Sequence, residues 1–523
     1  MTLNKINIVY FLGIGGIGMS ALARLFLLQG KQVYGYDLTP TEITSQLTTE
    51  GAHIHFEEDV NRIPALVDVV VYTPAVPKEH KEYQYFVEQK TPILKRSEIL
   101  GIICNSYPTI AVAGTHGKTT TAAIVTQLLV CGAVYGTKEG RKQEEEEGRK
   151  ELEGKSPSKF EGVSEGRGSL YKNKILSFIG GVAKNFNSNF VCEPKFDTVI
   201  VEADEFDRSF LTLHPQVAII TSIDADHLDI YGNHEQLKAS FQLFANQIQP
   251  HGTLVICDEI ADQIAHPNKV TYGFSEQAQY QIINIEYYPA KTTFDLNISY
   301  KLPRPSDTPS NFEGNVLPHT SSHSSHLTHL TPLTVNIPGK HNALNAVAAL
   351  AACLEFLSWK EDTIIDSHLL DVLVEKLTDF SGVKRRFDIR IQRDDFVYID
   401  DYAHHPEEIR AFLEAVKKSY PTKRLTGVFQ PHLYSRTKDF AQEFANALEV
   451  LDEIILLDIY PAREKPIEGI TSNYLLSLIK NENKKLLKKE ELLLYLQKHK
   501  PEVLLTMGAG DIDKMVKVLE AFC

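Results

Sequence analysis

The chain has 523 residues, 43% of them hydrophobic, and a formal net charge of −14. At ~150 residues per domain it is too long for one core and divides into about three. The acidic balance, with no long Lys/Arg cluster, argues against a nucleic-acid surface, and six scattered cysteines without C-x-x-C spacing argue against a disulfide or zinc framework and for a reducing, cytoplasmic setting.

Lys5 and the apolar run that follows, ending in Ser20-Ala21-Leu22-Ala23, superficially resemble a signal peptide. The glycines of Gly13-Ile14-Gly15-Gly16-Ile17-Gly18 weaken that reading and fit another. Ile6 to Leu12 is a β-rich run, Met19 to Leu28 is helical, and Val33 to Asp37 is a second strand with an acidic end. This is a βαβ unit of Rossmann type, in which Gly13, Gly15, Gly16 and Gly18 let a pyrophosphate approach a helix N-terminus and Asp37 meets a ribose hydroxyl. Taken alone it suggests NAD. Strands follow at Val67 to Tyr72 and near Ile93, and Thr73 sits at a strand end, where α/β sheets bind ligands. The first domain covers 1–107.

Pro108 to Thr120 reads PTIAVAGTHGKTT, in the order strand, glycine turn, helix. Backbone amides of Gly114, Thr115, His116 and Gly117 converge there with a helix N-terminus, Lys118 adds a full charge, and Thr119 and Thr120 open the helix, so polyphosphate is the expected ligand. Thr119 can place its hydroxyl on an accompanying Mg²⁺. Val112 stands where the strict P-loop pattern has glycine, and the alternative is an ordinary turn with a solvated lysine. From about 136 to 172 the composition turns to Glu, Lys, Arg, Gly and Ser, which predicts a disordered insert. Glu202-Ala203-Asp204-Glu205 and Asp224-Ala225-Asp226-His227 each follow a strand. Clustered carboxylates past strand ends suit Mg²⁺, and the alternative is a pair of helix caps. About 303–332 is an irregular loop with His319, His323, His326 and His329. Asn342 and Asn345 then share a helical face, where they either read an adenine edge or cap. The central domain is expected to span 108–378.

In the third domain, 379–523, Arg386 in Lys384-Arg385-Arg386-Phe387-Asp388 precedes a strand, and polar groups again follow strands at Asp401-Tyr402-Ala403-His404-His405-Pro406 and Gln430-Pro431-His432-Leu433-Tyr434-Ser435-Arg436. Arg436 has the planar fork that grips a carboxylate through two bonds.

G-x-G-G-x-G, A-G-T-H-G-K-T-T, E-A-D-E, A-D-H, G-K-H-N-x-x-N, R-R-F-D, D-D-Y-A-H-H-P and Q-P-H-x-Y-S-R occur in this order across nearly the whole chain. The set resembles the Mur ligases, which add amino acids to the bacterial cell-wall precursor using ATP. The resemblance implies an α/β fold of three domains: an N-terminal Rossmann-like one for a UDP-sugar, a central P-loop ATPase-like parallel sheet and a C-terminal Rossmann-like one. It implies ATP and Mg²⁺ as cofactors, and UDP-N-acetylmuramate and L-alanine as small-molecule substrates, with the tripeptide of the recycling member of the family as the alternative. By resemblance Glu202 and His227 contact metal with Thr119, Asp401 orients the nucleotide ribose, and His432 and Tyr402 complete the amino-acid pocket around Arg436. Lys118 and Arg386 supply the cation density that lets two anions meet, and His404 is the candidate base for the amine. No nucleic acid and no membrane insertion are expected. An oxidoreductase or a nucleotide switch built on the same folds is the rival class.

Overall fold

The computed structural model describes residues 5–130, 174–224, 228–299, 331–361, 367–462 and 464–522. The insert expected at 136–172, His227 and the four histidines from 319 to 329 all lie outside these residues.

Alternating and continuous apolar runs become strands wherever both faces are covered. Strands β1 (Ile8–Leu12), β2 (Gln32–Tyr36), β3 (His53–His55), β4 (Val69–Tyr72) and β5 (Ile93–Lys95) form a parallel sheet in the order β3-β2-β1-β4-β5. Val9, Phe11 and Leu12 are fully buried, and Met19, Leu22 and Phe26 of the helix Ile17–Leu28 pack into the same core. The N-terminal apolar run is therefore the middle of a sheet and not a leader-like segment. Gly18 lies inside the helix and not in the turn, because the chain becomes helical at Ile17.

Among the described residues the central sheet has ten strands: β6 (Thr109–Ala113), β7 (Ile175–Ala183), β8 (Ser188–Cys192), β9 (Thr198–Glu202), β10 (Val217–Ile220), β11 (Thr253–Cys257), β12 (Lys269–Gly273), β13 (Tyr280–Tyr288), β14 (Lys291–Ile298) and β15 (Thr331–Val335), in the order β15-β14-β13-β12-β11-β10-β6-β9-β7-β8. From β7 across to β13 every neighbouring pair is parallel, and the two margins are antiparallel. The expected irregular loop is thus too long at its end, since Pro332 pairs with Asp295 in β15. Strand β10 stops at Ile220, so Thr221 to Asp224 form a loop facing the P-loop.

Two helices lie side by side over this sheet, Lys118–Leu129 and Lys340–Glu361. Small residues permit their close approach: Ala343, Ala346, Ala348, Ala349, Ala351 and Ala352 are fully buried. The second helix is long and apolar enough to cross a membrane, but 78% of its apolar window is buried within the protein, so it is a core helix. It begins at Lys340, which places Asn342 and Asn345 in its first two turns.

Strands β16 (Asp388–Gln392), β17 (Val397–Asp401), β18 (Leu425–Phe429), β19 (Glu453–Leu456), β20 (Lys484–Leu486) and β21 (Val503–Met507) make the third sheet, β16-β17-β21-β18-β19-β20, parallel except for β16. Its apolar face is continuous with the central core, and Phe387 and Phe412 meet edge to face with ring centroids 5.4 Å apart. Glu408 of the third domain reaches His116 of the P-loop at 3.3 Å.

Candidate active site

A cavity of about 380 Å³ lies where the C-terminal ends of the central strands meet the third domain, lined by Lys118, Glu202, Asn342, Arg386, Asp401 and Glu408 among others. Its floor is the turn after β6. Gly117 has φ 83°, and a Cβ there would sit 2.4 Å from Asn345 Oδ1, so only glycine fits. Gly117 caps the helix Lys118–Leu129 without a side-chain bond, which leaves the first helical amides open to a ligand. The amides of Thr115 and His116 are not open. They donate to Ser222 O at 3.1 Å and Ser222 Oγ at 2.9 Å, so the expectation that the whole turn faces the ligand is corrected to its helical half.

Lys118 Nζ donates to Gly114 O at 2.6 Å and Thr115 O at 3.2 Å and pairs with Glu205 at 2.8 Å. Burial alone would push its pKa down, but Glu205, Asp204 and Glu202 outweigh that and hold it up. Glu205 is driven the other way by the same burial, up to about 7, against the pull of Lys118.

Thr119 Oγ1 lies 3.1 Å from both oxygens of Glu202, and the Gly180 amide donates to Glu202 Oε2 at 2.7 Å. Burial raises the Glu202 pKa, partly opposed by Lys118, which marks a carboxylate short of positive charge. A hydroxyl beside such a carboxylate is a fitting donor set for Mg²⁺. Among the described residues no three His, Cys, Asp or Glu side chains converge as a metal site.

Asn342 and Asn345 are buried and already committed. Asn342 Nδ2 donates to Pro338 O at 2.7 Å, Asn345 Nδ2 to Asn342 Oδ1 at 3.4 Å, and Asn345 Oδ1 accepts from Thr121 Oγ1 at 3.2 Å. Asn345 stands at the P-loop end of the cavity, its Oδ1 beside Gly117. Just before Asn342, His341 is kept neutral, with its pKa down at about 4 through burial and the neighbouring Arg386 charge.

Asp401 ends β17, where its Oδ2 accepts the Phe387 amide at 2.6 Å and its Oδ1 the Ala403 amide at 2.8 Å. Burial lifts it to about 6, and each oxygen keeps a lone pair for a ligand hydroxyl. The Arg386 guanidinium stacks on Tyr402 at 5.0 Å. Tyr402, His404 and His432 form a ring cluster, with centroids 5.1 and 5.9 Å apart, and His432 stacks on Tyr460 at 5.9 Å. Arg436 follows on the helix Tyr434–Asp439, outside the lining of the main cavity.

The glycine turn of the first sheet is apart from this cavity. Gly13 has φ 86° and lies against Thr73, whose Cγ2 would be 2.6 Å from an added Cβ. Asp37 Oδ2 accepts the Gly15 amide at 2.7 Å, so the carboxylate expected at a ribose also closes the turn. Gly16 caps the helix with no side-chain bond. Arg96, not foreseen from the sequence, lies against Gly18 and reaches Asp204 of the central domain at 3.5 Å. Ser222, Glu205 and Glu408 were also missed. Glu205 alone had a signal, its place in E-A-D-E.

A phosphate-binding turn with a carboxylate-backed lysine, roofed by a second α/β unit that brings arginine and histidine, defines a P-loop nucleotide-binding enzyme of three α/β domains. Residues 8–108 match the Mur ligase family, catalytic domain; 183–353 the Mur ligase middle domain; and 385–510 the Mur ligase, glutamate ligase domain. The chain belongs to the Mur ligase family. It is similar to UDP-N-acetylmuramate–L-alanine ligases of Flavobacterium psychrophilum, 42% identical over 99% of this chain and 98% of the relative, and of Porphyromonas gingivalis, 39% identical over 97% of each. Among solved structures it resembles UDP-N-acetylmuramate-alanine ligase from Thermotoga maritima, with 25% identity, 99% of both chains covered and a TM-score of 0.70. The fold is shared with a murein peptide ligase of Psychrobacter arcticus, with 18% identity, 99% and 98% covered and a TM-score of 0.61.

Proposed function

We propose that this chain joins L-alanine to the lactyl carboxylate of UDP-N-acetylmuramate with ATP, giving UDP-N-acetylmuramoyl-L-alanine, ADP and phosphate in cell-wall precursor synthesis. The observation that carries this reading is full-length similarity to ligases of that name, combined with a P-loop cavity that Arg386 of the third domain also lines. The free thiols of Cys104, Cys192, Cys257 and Cys353 agree with a reducing, cytoplasmic setting.

The first domain holds the UDP moiety at Gly13 to Gly18, next to Asp37 and Thr73. ATP phosphates settle on the amides of Gly117 to Thr120, and Lys118 exchanges Glu205 for them. Thr119 and Glu202, with His227, would hold Mg²⁺, which when bound offsets charge between the phosphates. Asn342, Asn345 and Asp401 shape the nucleotide pocket. Lys118 and Arg386 flank the point where the sugar carboxylate attacks the γ-phosphorus, stabilising the charge that gathers there. Tyr402, His404, His432 and Arg436 orient the amino acid, with Arg436 on its carboxylate.

The test supplies UDP-N-acetylmuramate, ATP and Mg²⁺ with L-alanine, glycine or L-alanyl-γ-D-glutamyl-meso-diaminopimelate, and measures phosphate release and product mass. L-Alanine should react fastest, with glycine about 10–200-fold slower for the missing methyl. Efficient ligation of the tripeptide in place of L-alanine would overturn the assignment in favour of the recycling reaction.

A further inference from the structure

We propose that Glu408 is a positioning residue: it fixes His404 as the proton acceptor for the incoming amine and ties that base to the P-loop. The inference rests on the ligase reading above. Glu408 is the third residue of the helix Pro406–Ser419. Its Oε2 accepts the His404 amide at 3.0 Å and the His405 amide at 3.3 Å and lies 3.1 Å from His404 Nδ1. Its Oε1 lies 3.3 Å from Nδ1 of His116, in the P-loop of another domain, and 3.9 Å from Arg386 Nη1. A helix cap accounts for the two amide bonds. It does not account for a second oxygen turned across the domain boundary, nor for the imidazole on the first.

His404 Nδ1 also lies 3.1 Å from Tyr402 O, a pure acceptor. With a carbonyl and a carboxylate both facing it, Nδ1 must carry hydrogen. The lone pair of the neutral ring is therefore on Nε2. The charged and titratable groups around Glu408 are His404 and His405 on its own turn, Arg386 and Asp401 from the neighbouring loop and strand end, and His116 with Asp224 behind it at 3.6 Å. Burial would raise the Glu408 carboxyl, yet His404 and His116 hold it well below the usual carboxylate range, so it remains an anion.

In the step this arrangement serves, the ammonium of L-alanine gives one proton to His404 Nε2, and the freed lone pair attacks the acyl carbon of the acyl phosphate. The C–N bond forms as the C–O bond to phosphate breaks. Phosphate leaves with that electron pair and takes up the second N–H proton as the amide forms. Glu408 stabilises the imidazolium, as a carboxylate behind a catalytic histidine does. Because its other oxygen faces His116, the base is set only when the third domain lies against the P-loop, where the acyl phosphate is made.

Glu408→Gln keeps an oxygen for the cap and removes the charge. The full chain is assayed with UDP-N-acetylmuramate, ATP and Mg²⁺, using either L-alanine or hydroxylamine as nucleophile. Hydroxylamine is largely unprotonated at neutral pH and needs no base. The variant should lose about 10²-fold or more in kcat/KM for L-alanine. Hydroxamate formation should change by less than about threefold, and in a His404→Ala background Glu408→Gln should cost little more. Equal losses with both nucleophiles, an unchanged alanine rate, or losses that multiply in the double variant would overturn the proposal. Wild-type enzyme that makes neither product would instead overturn the ligase reading itself.

Discussion

At Gly13 to Gly18 the Asp37 carboxylate accepts the Gly15 amide, whereas at Gly114 to Lys118 a lysine ammonium folds back over the turn and is held by Gly114 O and Glu205. Both are glycine turns between a buried strand and a helix, yet one is closed by an anion and the other by a neutralised cation. Beside the first, Arg96 comes from a different element and bridges to Asp204. The second carries its own cation and the carboxylate that keeps it in place. A glycine turn therefore provides the shape of a phosphate site, and residues distant in sequence decide how strongly charged it is.

The largest effect that would sharpen this comparison is at Lys118. Lys118→Ala should lower ligation by about 10²–10³-fold while the melting temperature stays close to wild type, since the group serves a ligand and not a core. Turnover near wild type would remove the P-loop from the mechanism. The two turns should also differ in their tolerance of a methyl group. Gly117→Ala meets Asn345 Oδ1 at 2.4 Å with φ 83° and should lower the melting temperature and weaken ATP binding severely by calorimetry, whereas Gly16→Ala has no protein atom nearer than 3.6 Å and should leave the melting temperature close to wild type. Equal sensitivity of both turns would mean that the second is not specially built.

A smaller effect is expected at Arg96. If it serves the first turn, Arg96→Ala should raise the KM for UDP-N-acetylmuramate about tenfold, the worth of one charge-assisted contact, and leave the KM for ATP alone. A matching rise for ATP would show that its bond to Asp204 matters more. The smallest effect is a pH dependence. Glu205 is raised by burial from 4.5 to about 7, so the folded state holds a proton that the unfolded state has lost. Its contribution is present below pH 4.5 and is lost as pH rises through about 7. Denaturant titrations should show the stability of wild type falling relative to Glu205→Gln across that window, and parallel curves would contradict the burial argument.

The sheets were legible because buried parallel strands are near-continuous apolar runs and each is followed by a polar cluster. Lys118, Thr119 and Glu202 could be placed in the same way, as residues just past strand ends. What escaped the sequence was long-range. Ser222 takes two P-loop amides from more than a hundred residues away, and Glu408 reaches His116 across a domain boundary. Neither leaves a periodic or spaced signal. For Asn342 and Asn345 a shared helical face was visible, but the carbonyl and hydroxyl that engage them were not. The antiparallel hairpin of β13 and β14 also went unread, because its exposed face alternates polar and aromatic residues outside any motif.

On the proposed ligase reading, ATP at the P-loop phosphorylates the sugar carboxylate before the amine arrives. Ligation with L-alanine is run on UDP-N-acetylmuramate carrying ¹⁸O in the lactyl carboxylate, and the released phosphate is analysed by mass. Attack on the γ-phosphorus followed by cleavage of the acyl C–O bond predicts one ¹⁸O in each inorganic phosphate and none in ADP. Label appearing in AMP, or phosphate released without label, would contradict it.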